Sequence, residues 1–383
     1  MDVSGMVDFA WNTVLINIVP FLFVLTVIVF FHELGHYLVG RWCGIGIETF
    51  SVGFGKELAG FTDRHGTRWK LSAIPLGGYV KFLGDSNAAS MPDNSSLQGL
   101  SAEELEGTFQ SKSVWRRAAT VAAGPIANFI LAIAIFAGVA YFNGRVVADP
   151  VIAQVQENSP AQEAGLQPGD KIVSADGNAI TYFSDFQRHV ASRADVPIAL
   201  SVERAGQLLQ LEVTPRERVQ QDAFGNEFKV PVVGIVATND SSAFRVEHLS
   251  LTQSVAYGAA QTWFITERTA DFLVGLVRGA QPADQLSGPI GIAHMSGQAA
   301  SLGFATLLNM AALLSVSIGL LNLMPIPILD GGHLVFYAIE AIRGKPVSER
   351  VMEVSFRIGF ALLIGLMVFA SSNDILSRIG GIW

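Results

Sequence analysis

The chain has 383 residues, half of them hydrophobic and only 15% charged, with a formal net charge of −8 and a mean hydropathy of +0.40. Soluble enzymes carry more charge than this, and an acidic chain lacks the basic surface that nucleic acid selects. The single cysteine, Cys43, excludes an intrachain disulfide and reads as a structural thiol at a membrane boundary rather than as half of a Cys/His catalytic pair.

Met1 to Asn17 contains Asp2 and Asp8 but no Lys or Arg, so it lacks the positive start of a cleavable signal peptide. The run from Ile16 to Gly40 is long enough, at about 1.5 Å per residue, to cross a ~30 Å hydrocarbon layer. No charge interrupts it between Ile18 and Phe31, and near its end stands His32-Glu33-Leu34-Gly35-His36. On a helix the two imidazoles share one face a turn apart and can grip a single Zn²⁺, while Glu33 can take a proton from an attacking water. The alternative is a pair of hydrogen-bonded histidines at a helix interface. Ionisable side chains in an apolar span are costly to keep without a task, which favours the metal.

A polar stretch from Arg41 to Arg117 follows, rich in Lys and Arg where the N-terminus has none. That contrast puts this loop, and the end of the span that carries the motif, on the cytoplasmic side. Phe50 to Gly55 and Trp69 to Ile74 read as β segments around a turn at Asp63-Arg64-His65-Gly66, and Pro75 to Val80 as a further extended piece. An exposed edge here could capture an extended peptide by strand addition. Ser86 to Gln110 reads as loop with one short helix.

A second span runs from Ala118 to Phe142 and contains Gly124-Pro125-Ile126-Ala127-Asn128. Asn128 is a candidate for direct contact with substrate; helix packing through small residues is the other reading. From Val146 to Val236 the pattern becomes that of a water-soluble α/β module. Its turn cluster is Ala164 to Asp170, its strands Lys171 to Ala175, Ile198 to Glu203 and Leu208 to Val213, with a turn at Asp176-Gly177 and a helix from Phe183 to Ala191. Leu249 to Val277 is amphipathic and is expected on the membrane surface or against other helices, not across the bilayer.

The third span, Phe304 to Met324, ends in Asn322-Leu323-Met324-Pro325-Ile326-Pro327-Ile328-Leu329-Asp330-Gly331-Gly332-His333. Two prolines break the helix and turn Asp330 toward the first span. A catalytic zinc takes three protein ligands and leaves a position for water, so Asp330 is the favoured third ligand and His333 its competitor. Asn322 is a candidate donor to substrate backbone, or a brace for the helix break. A fourth span, Val354 to Ala370, returns the chain outside.

These motifs together resemble the site-2 protease family, the M50-type intramembrane zinc metalloproteases, and within it the bacterial branch that regulates sigma-E. HELGH, GPIAN and NLMPIPILDGGH fall in three successive spans, and the last is similar to the family's LDG motif, which implies Asp330 as the third ligand. Gly77-Gly78-Tyr79-Val80 resembles the end of the family's membrane-associated β-loop, implying that Gly77 and Gly78 lie beside bound substrate. AGLQPGDKI, Ala164 to Ile172, resembles the turn and strand of a PDZ domain. There is room for one such domain, whereas that branch often carries two in tandem.

The resemblance implies a polytopic α-helical membrane protein of about four transmembrane helices, with a membrane-associated β-hairpin loop and an inserted PDZ-like α/β domain. The expected divisions are 1–143, 144–238 for the PDZ-like domain, 239–303 as amphipathic linker, and 304–383. The implied activity is zinc-dependent cleavage within single-pass transmembrane proteins in the bacterial inner membrane. Substrates would be of the anti-sigma factor type, after a first cut, and remnant signal peptides. Both termini and the PDZ-like domain would be periplasmic, that domain binding or filtering substrate, with lipid around the spans. A membrane chaperone with structural histidines and a metal transporter are the competing classes; the latter has few other polar residues to form a path.

Overall fold

The computed structural model describes residues 3–85, 102–191, 193–221, 227–237, 244–279 and 286–380. The chain forms two compact units, one from Met1–Val139 with Leu251–Ile375, the other built on Ala140–Ser250.

In the first unit, α1 (Val3–Trp42) leads into a long hairpin of β1 (Ile47–Thr62) and β2 (Arg68–Phe82). The two extended pieces expected on either side of Pro75 are one strand. The register explains how so long a hairpin folds back on itself. Partner numbers fall from Thr49↔Lys81 to Val52↔Gly78, yet rise from Thr49↔Arg68 to Val52↔Leu71, while Thr62 to Glu57 pair with Arg68 to Ser72. Thr49 to Val52 therefore lie between two lengths of β2. Gly78 to Phe82 pair along one side only and form an edge. Phe50 anchors the hairpin to α1, stacked on Trp69 and edge-on to Phe30 and Tyr37. Tyr37 Oη and Trp69 Nε1 both donate to Asp63 Oδ2, at 2.8 and 3.0 Å, which pins the turn.

Residues 86–101, most of the expected loop, lie outside the described residues; α2 (Ala102–Glu106) follows them, then α3 (Val114–Asn143), which contains Pro125.

The second unit opens with β3 (Arg145–Ala148), β4 (Gln154–Val155), α4 (Pro160–Glu163), β5 (Lys171–Ala175) and β6 (Asn178–Ala179). It continues with α5 (Phe183–Ala191), β7 (Ile198–Arg204), β8 (Gln207–Val213), β9 (Arg216–Gln221), β10 (Glu227–Val232), β11 (Ile235–Val236) and β12 (Phe244–Glu247). Its main sheet has the order β6-β5-β7-β8. Alternating Ile172, Ile198, Leu200 and Val202 point inward with Ile152, Phe186 and Val213 to make a dry core. The Asp176-Gly177 turn has positive φ at both residues, 48° and 79°, as a two-residue hairpin requires. Asp170 is held by Arg204, whose Nε and Nη2 donate to its two oxygens at 2.7 Å each. That pairing, with the Gln167 backbone N–H, holds Asp170 below the usual carboxylate range against the opposing effect of burial. Strand β12 reads as linker in the sequence, but it pairs with β3 from Arg145↔Glu247 to Ala148↔Phe244.

The remaining helices belong to the first unit for most of their length: α6 (Leu251–Val277), α7 (Pro289–Ser301), α8 (Phe304–Asn322), α9 (Asp330–Arg343) and α10 (Glu349–Gly380). Among the described residues four helical stretches are long and apolar enough to cross a membrane: Leu15–Trp42, Val114–Asn143, Phe304–Asn322 and Arg350–Leu376. Helix α6 is not one of them. It packs a small-residue stripe inward, Gly258 against the Ile133 carbonyl of α3, and Ile265 joins Ala132, Phe136, Ala312 and Val316. Helix α7, absent from the sequence reading, lies on α1; its Gly297 approaches Ile16 and Asn17 too closely for any side chain.

Candidate metal centre

His32 and His36 project from one face of α1, and Asp330 is the first residue of α9. The three converge. His32 Nε2 and His36 Nε2 are 3.2 Å apart, and Asp330 Oδ2 lies 3.2 Å from the first and 3.6 Å from the second. Among the described residues this is the group of His, Cys, Asp or Glu whose ligand atoms could share an ion.

His36 Nδ1 is 2.9 Å from the Thr120 carbonyl. A carbonyl only accepts, so Nδ1 carries a proton, and in the neutral ring Nε2 presents a lone pair. Asp330 Oδ2 is buried and, among the described residues, has no hydrogen-bond donor. Two imidazole nitrogens and a carboxylate oxygen gathered at this range, largely out of solvent, suit a shared cation. Zinc bonds of about 2.0–2.1 Å in a tetrahedron require ligand atoms about 3.3–3.4 Å apart, and the three edges bracket that value. The donor set of two imidazoles and one carboxylate is a catalytic-zinc set, so the residues present fit the ion.

Local sequence makes the convergence possible. A Cβ on Gly124 would stand 2.3 Å from His36 Nε2 and 2.9 Å from His32 Cε1, so only glycine lets α3 pass the two rings. A Cβ on Gly35 would meet the Ala123 carbonyl at 2.3 Å, so α1 and α3 touch backbone to backbone there. Pro325 and Pro327 end α8, and Ile328, at φ 90°, turns the chain. A β-branched residue at positive φ is strained, and the strain sits two residues before Asp330.

A cavity of about 200 Å³ opens over this group. Glu33, Asn322, Gly78, Val80 and His333 line it along with the three converging residues. The Val80 backbone N–H faces the Glu33 carboxylate. Gly78 lets the strand edge close on α1, since a Cβ there would meet Glu33 Cγ at 3.0 Å and Val29 nearer still. His333 shares the cavity but stands outside the converging group, its ring 5.2 Å from that of Phe356. Gly77, at φ 114°, shapes the strand without lining the cavity. Asn128 is fully buried and does not line it either; its amide lies against His32. Thr120 and Val80 carry no sequence signal, because they act through backbone atoms that any residue has.

A histidine–carboxylate cluster beside a second acid, in a chain with helices apolar enough to cross a membrane, has the chemistry of a metallohydrolase centre. Peptidase family M50 matches over residues 20–366, and this chain belongs to that family. It is 55% identical over 363 residues to a protein of Agrobacterium fabrum whose name carries the words zinc metalloprotease, covering 95% of this chain and 96% of that one. It is 42% identical over 383 residues to the metalloprotease MmpA of Caulobacter vibrioides, covering 94% and 96%. The PDZ domain of the SdrC-like protein of Listeria innocua aligns over 26% of this chain and 99% of its own, at 18% identity and a TM-score of 0.20. The chain is a membrane protein and a zinc metalloendopeptidase.

Proposed function

We propose that the chain cleaves peptide bonds within the transmembrane segments of single-pass membrane proteins. The observation that carries this reading is the convergence of His32, His36 and Asp330 at 3.2–3.6 Å beside Glu33, with both histidines and Glu33 on a helix apolar enough to span a bilayer. His32, His36 and Asp330 hold the zinc. Bound there, zinc supplies Lewis acidity toward the scissile carbonyl and acidifies the attacking water.

Glu33 is the general base. Its carboxylate takes the proton of the attacking water and delivers it to the amide nitrogen as that nitrogen leaves. Its place in the cavity wall, next in sequence to one ligand, supports the role.

A substrate helix hides its carbonyls in i→i−4 hydrogen bonds and must be extended before attack. The edge from Gly78 to Phe82 offers backbone groups to an extended peptide, with Asn322, which also lines the cavity, as a further donor. The module from Val146 to Val236 is PDZ-like and acts on which substrates enter. The excess of Lys and Arg between residues 41 and 117 supports an inner-membrane arrangement with the site near the cytoplasmic face and the termini and module periplasmic. In that setting the substrates are anti-sigma factor-type proteins already trimmed outside, and remnant signal peptides.

The test is incubation of the zinc-loaded, detergent-purified chain with single-span peptides, mapping products by mass spectrometry. Cuts inside the apolar segment, absent with Glu33→Gln, are expected. Cuts confined to flanking polar residues would contradict the reading.

A further inference from the structure

Asn128 is 0% exposed in the middle of α3, one turn beyond Gly124. It is clamped from α8: Ser315 Oγ donates to its backbone carbonyl at 2.9 Å, and Gly319 leaves only 3.2 Å between its own Cβ position and the Asn128 Cβ. The amide is directed at His32, with Nδ2 3.2 Å from His32 Nδ1. Its Oδ1 is buried and, among the described residues, has no hydrogen-bond partner.

Two facts about imidazole bear on this arrangement. For His32 Nε2 to offer a lone pair toward Asp330 and His36, Nδ1 must carry the ring proton. A protonated Nδ1 needs an acceptor, and an amide NH₂ is not one. A half-turn of the amide about the Cβ–Cγ bond exchanges Nδ2 for Oδ1 at the same place. The buried oxygen then gains a donor and His32 Nδ1–H gains an acceptor. His36 already has that arrangement through the Thr120 carbonyl.

We propose that Asn128 is a positioning residue for the metal ligand His32: its Oδ1 accepts from His32 Nδ1–H and so fixes the tautomer and ring angle that aim Nε2 at the zinc. This rests on the reading of His32 as a ligand. It replaces the expectation that Asn128 touches substrate, since the residue has no surface in the cavity. Outer partners of this kind orient a ligating histidine and raise its basicity.

The test uses the full-length protein in detergent, with Zn²⁺ affinity read by competition against a chromophoric chelator and the visible spectrum of the Co²⁺ form as a second readout. Asn128→Leu keeps the volume and loses the acceptor; it is expected to weaken zinc about 10- to 100-fold and alter the Co²⁺ bands. Asn128→Asp keeps the acceptor and is expected to restore both. A packing role predicts the reverse order, because Leu fills the site and a carboxylate is costly there. Wild-type affinity in Asn128→Leu, or in Asn128→Ala should Leu not fold, would overturn the proposal, as would an Asp variant no better than Leu. His32→Ala separates the two levels. If it loses zinc while Asn128→Leu does not, only the role of Asn128 falls. If it binds zinc like wild type, the reading of the centre falls.

Discussion

The Nε2 atoms of His32 and His36 face each other at 3.2 Å with Asp330 Oδ2 completing a near-equilateral triangle. That geometry suits a shared cation, with its three candidate ligand atoms contributed by α1 and α9. Metal affinity and local order should therefore change together.

Asp330→Asn keeps the shape and removes the charge. Zinc affinity should fall at least tenfold, measured by chelator competition, because a neutral amide oxygen is a weaker partner for a divalent ion. Unchanged affinity would pass the role to His333, which lines the same cavity.

Glu33→Gln should bind zinc within a few-fold of wild type and lose cleavage by about 10²–10⁴-fold, the usual contribution of a positioned general base. Single-turnover assays on a membrane peptide, run beside zinc quantification, separate the two effects. Retained turnover would remove Glu33 from the mechanism.

Gly124→Ala places a methyl 2.3 Å from His36 Nε2, where the far atoms are ligand rings rather than flexible chains. The expected result is loss of stoichiometric zinc with α3 still helical, read by metal analysis and far-ultraviolet circular dichroism. Full zinc occupancy would mean that α1 and α3 can separate, against their backbone contact at Gly35 and Ala123.

In the second unit, the Asp170–Arg204 pair sets a pH dependence. The folded carboxyl titrates below its unfolded value of about 3.9. Its contribution is thus fully present above that pH and is lost as pH falls through the lower folded value. Asp170→Asn removes the charged partner of the part-exposed Arg204 guanidinium and should lower stability at neutral pH. Hydrogen exchange across β5 and β7 in the full chain measures the loss. The variant's deficit should shrink in acid; a deficit independent of pH would contradict the assignment.

Much of the centre is legible in the sequence because its signals are local. HELGH needs only the helical repeat to bring two rings together, and the Pro-Ile-Pro break announces that Asp330 leaves the axis of α8. Helix α5 and the β5–β6 turn follow from apolar spacing and an Asp-Gly pair. What escapes is set by distant partners. Strand β12 is four residues whose mate, β3, lies about a hundred residues earlier, so no local pattern marks it. Helix α7 buries Ser296, Gly297 and Ala299, small residues that give no apolar stripe yet allow close approach to α1. The double pairing of Thr49 to Val52 is equally hidden, since each residue there satisfies two lengths of one strand. Asn128 is visible as a polar residue in an apolar span, but its direction, toward His32 rather than into the cavity, depends on how α3 is turned against α1.

The central claim is tested most directly by X-ray absorption at the zinc edge on the purified full-length protein. A first shell of nitrogen and oxygen at about 2.0–2.1 Å, with outer scattering from two imidazoles, is the expected result. In His32→Ala, loaded with excess zinc to offset its weaker binding, the scattering of one imidazole should vanish. A sulfur ligand from Cys43, or an imidazole count unchanged by that substitution, would contradict the account.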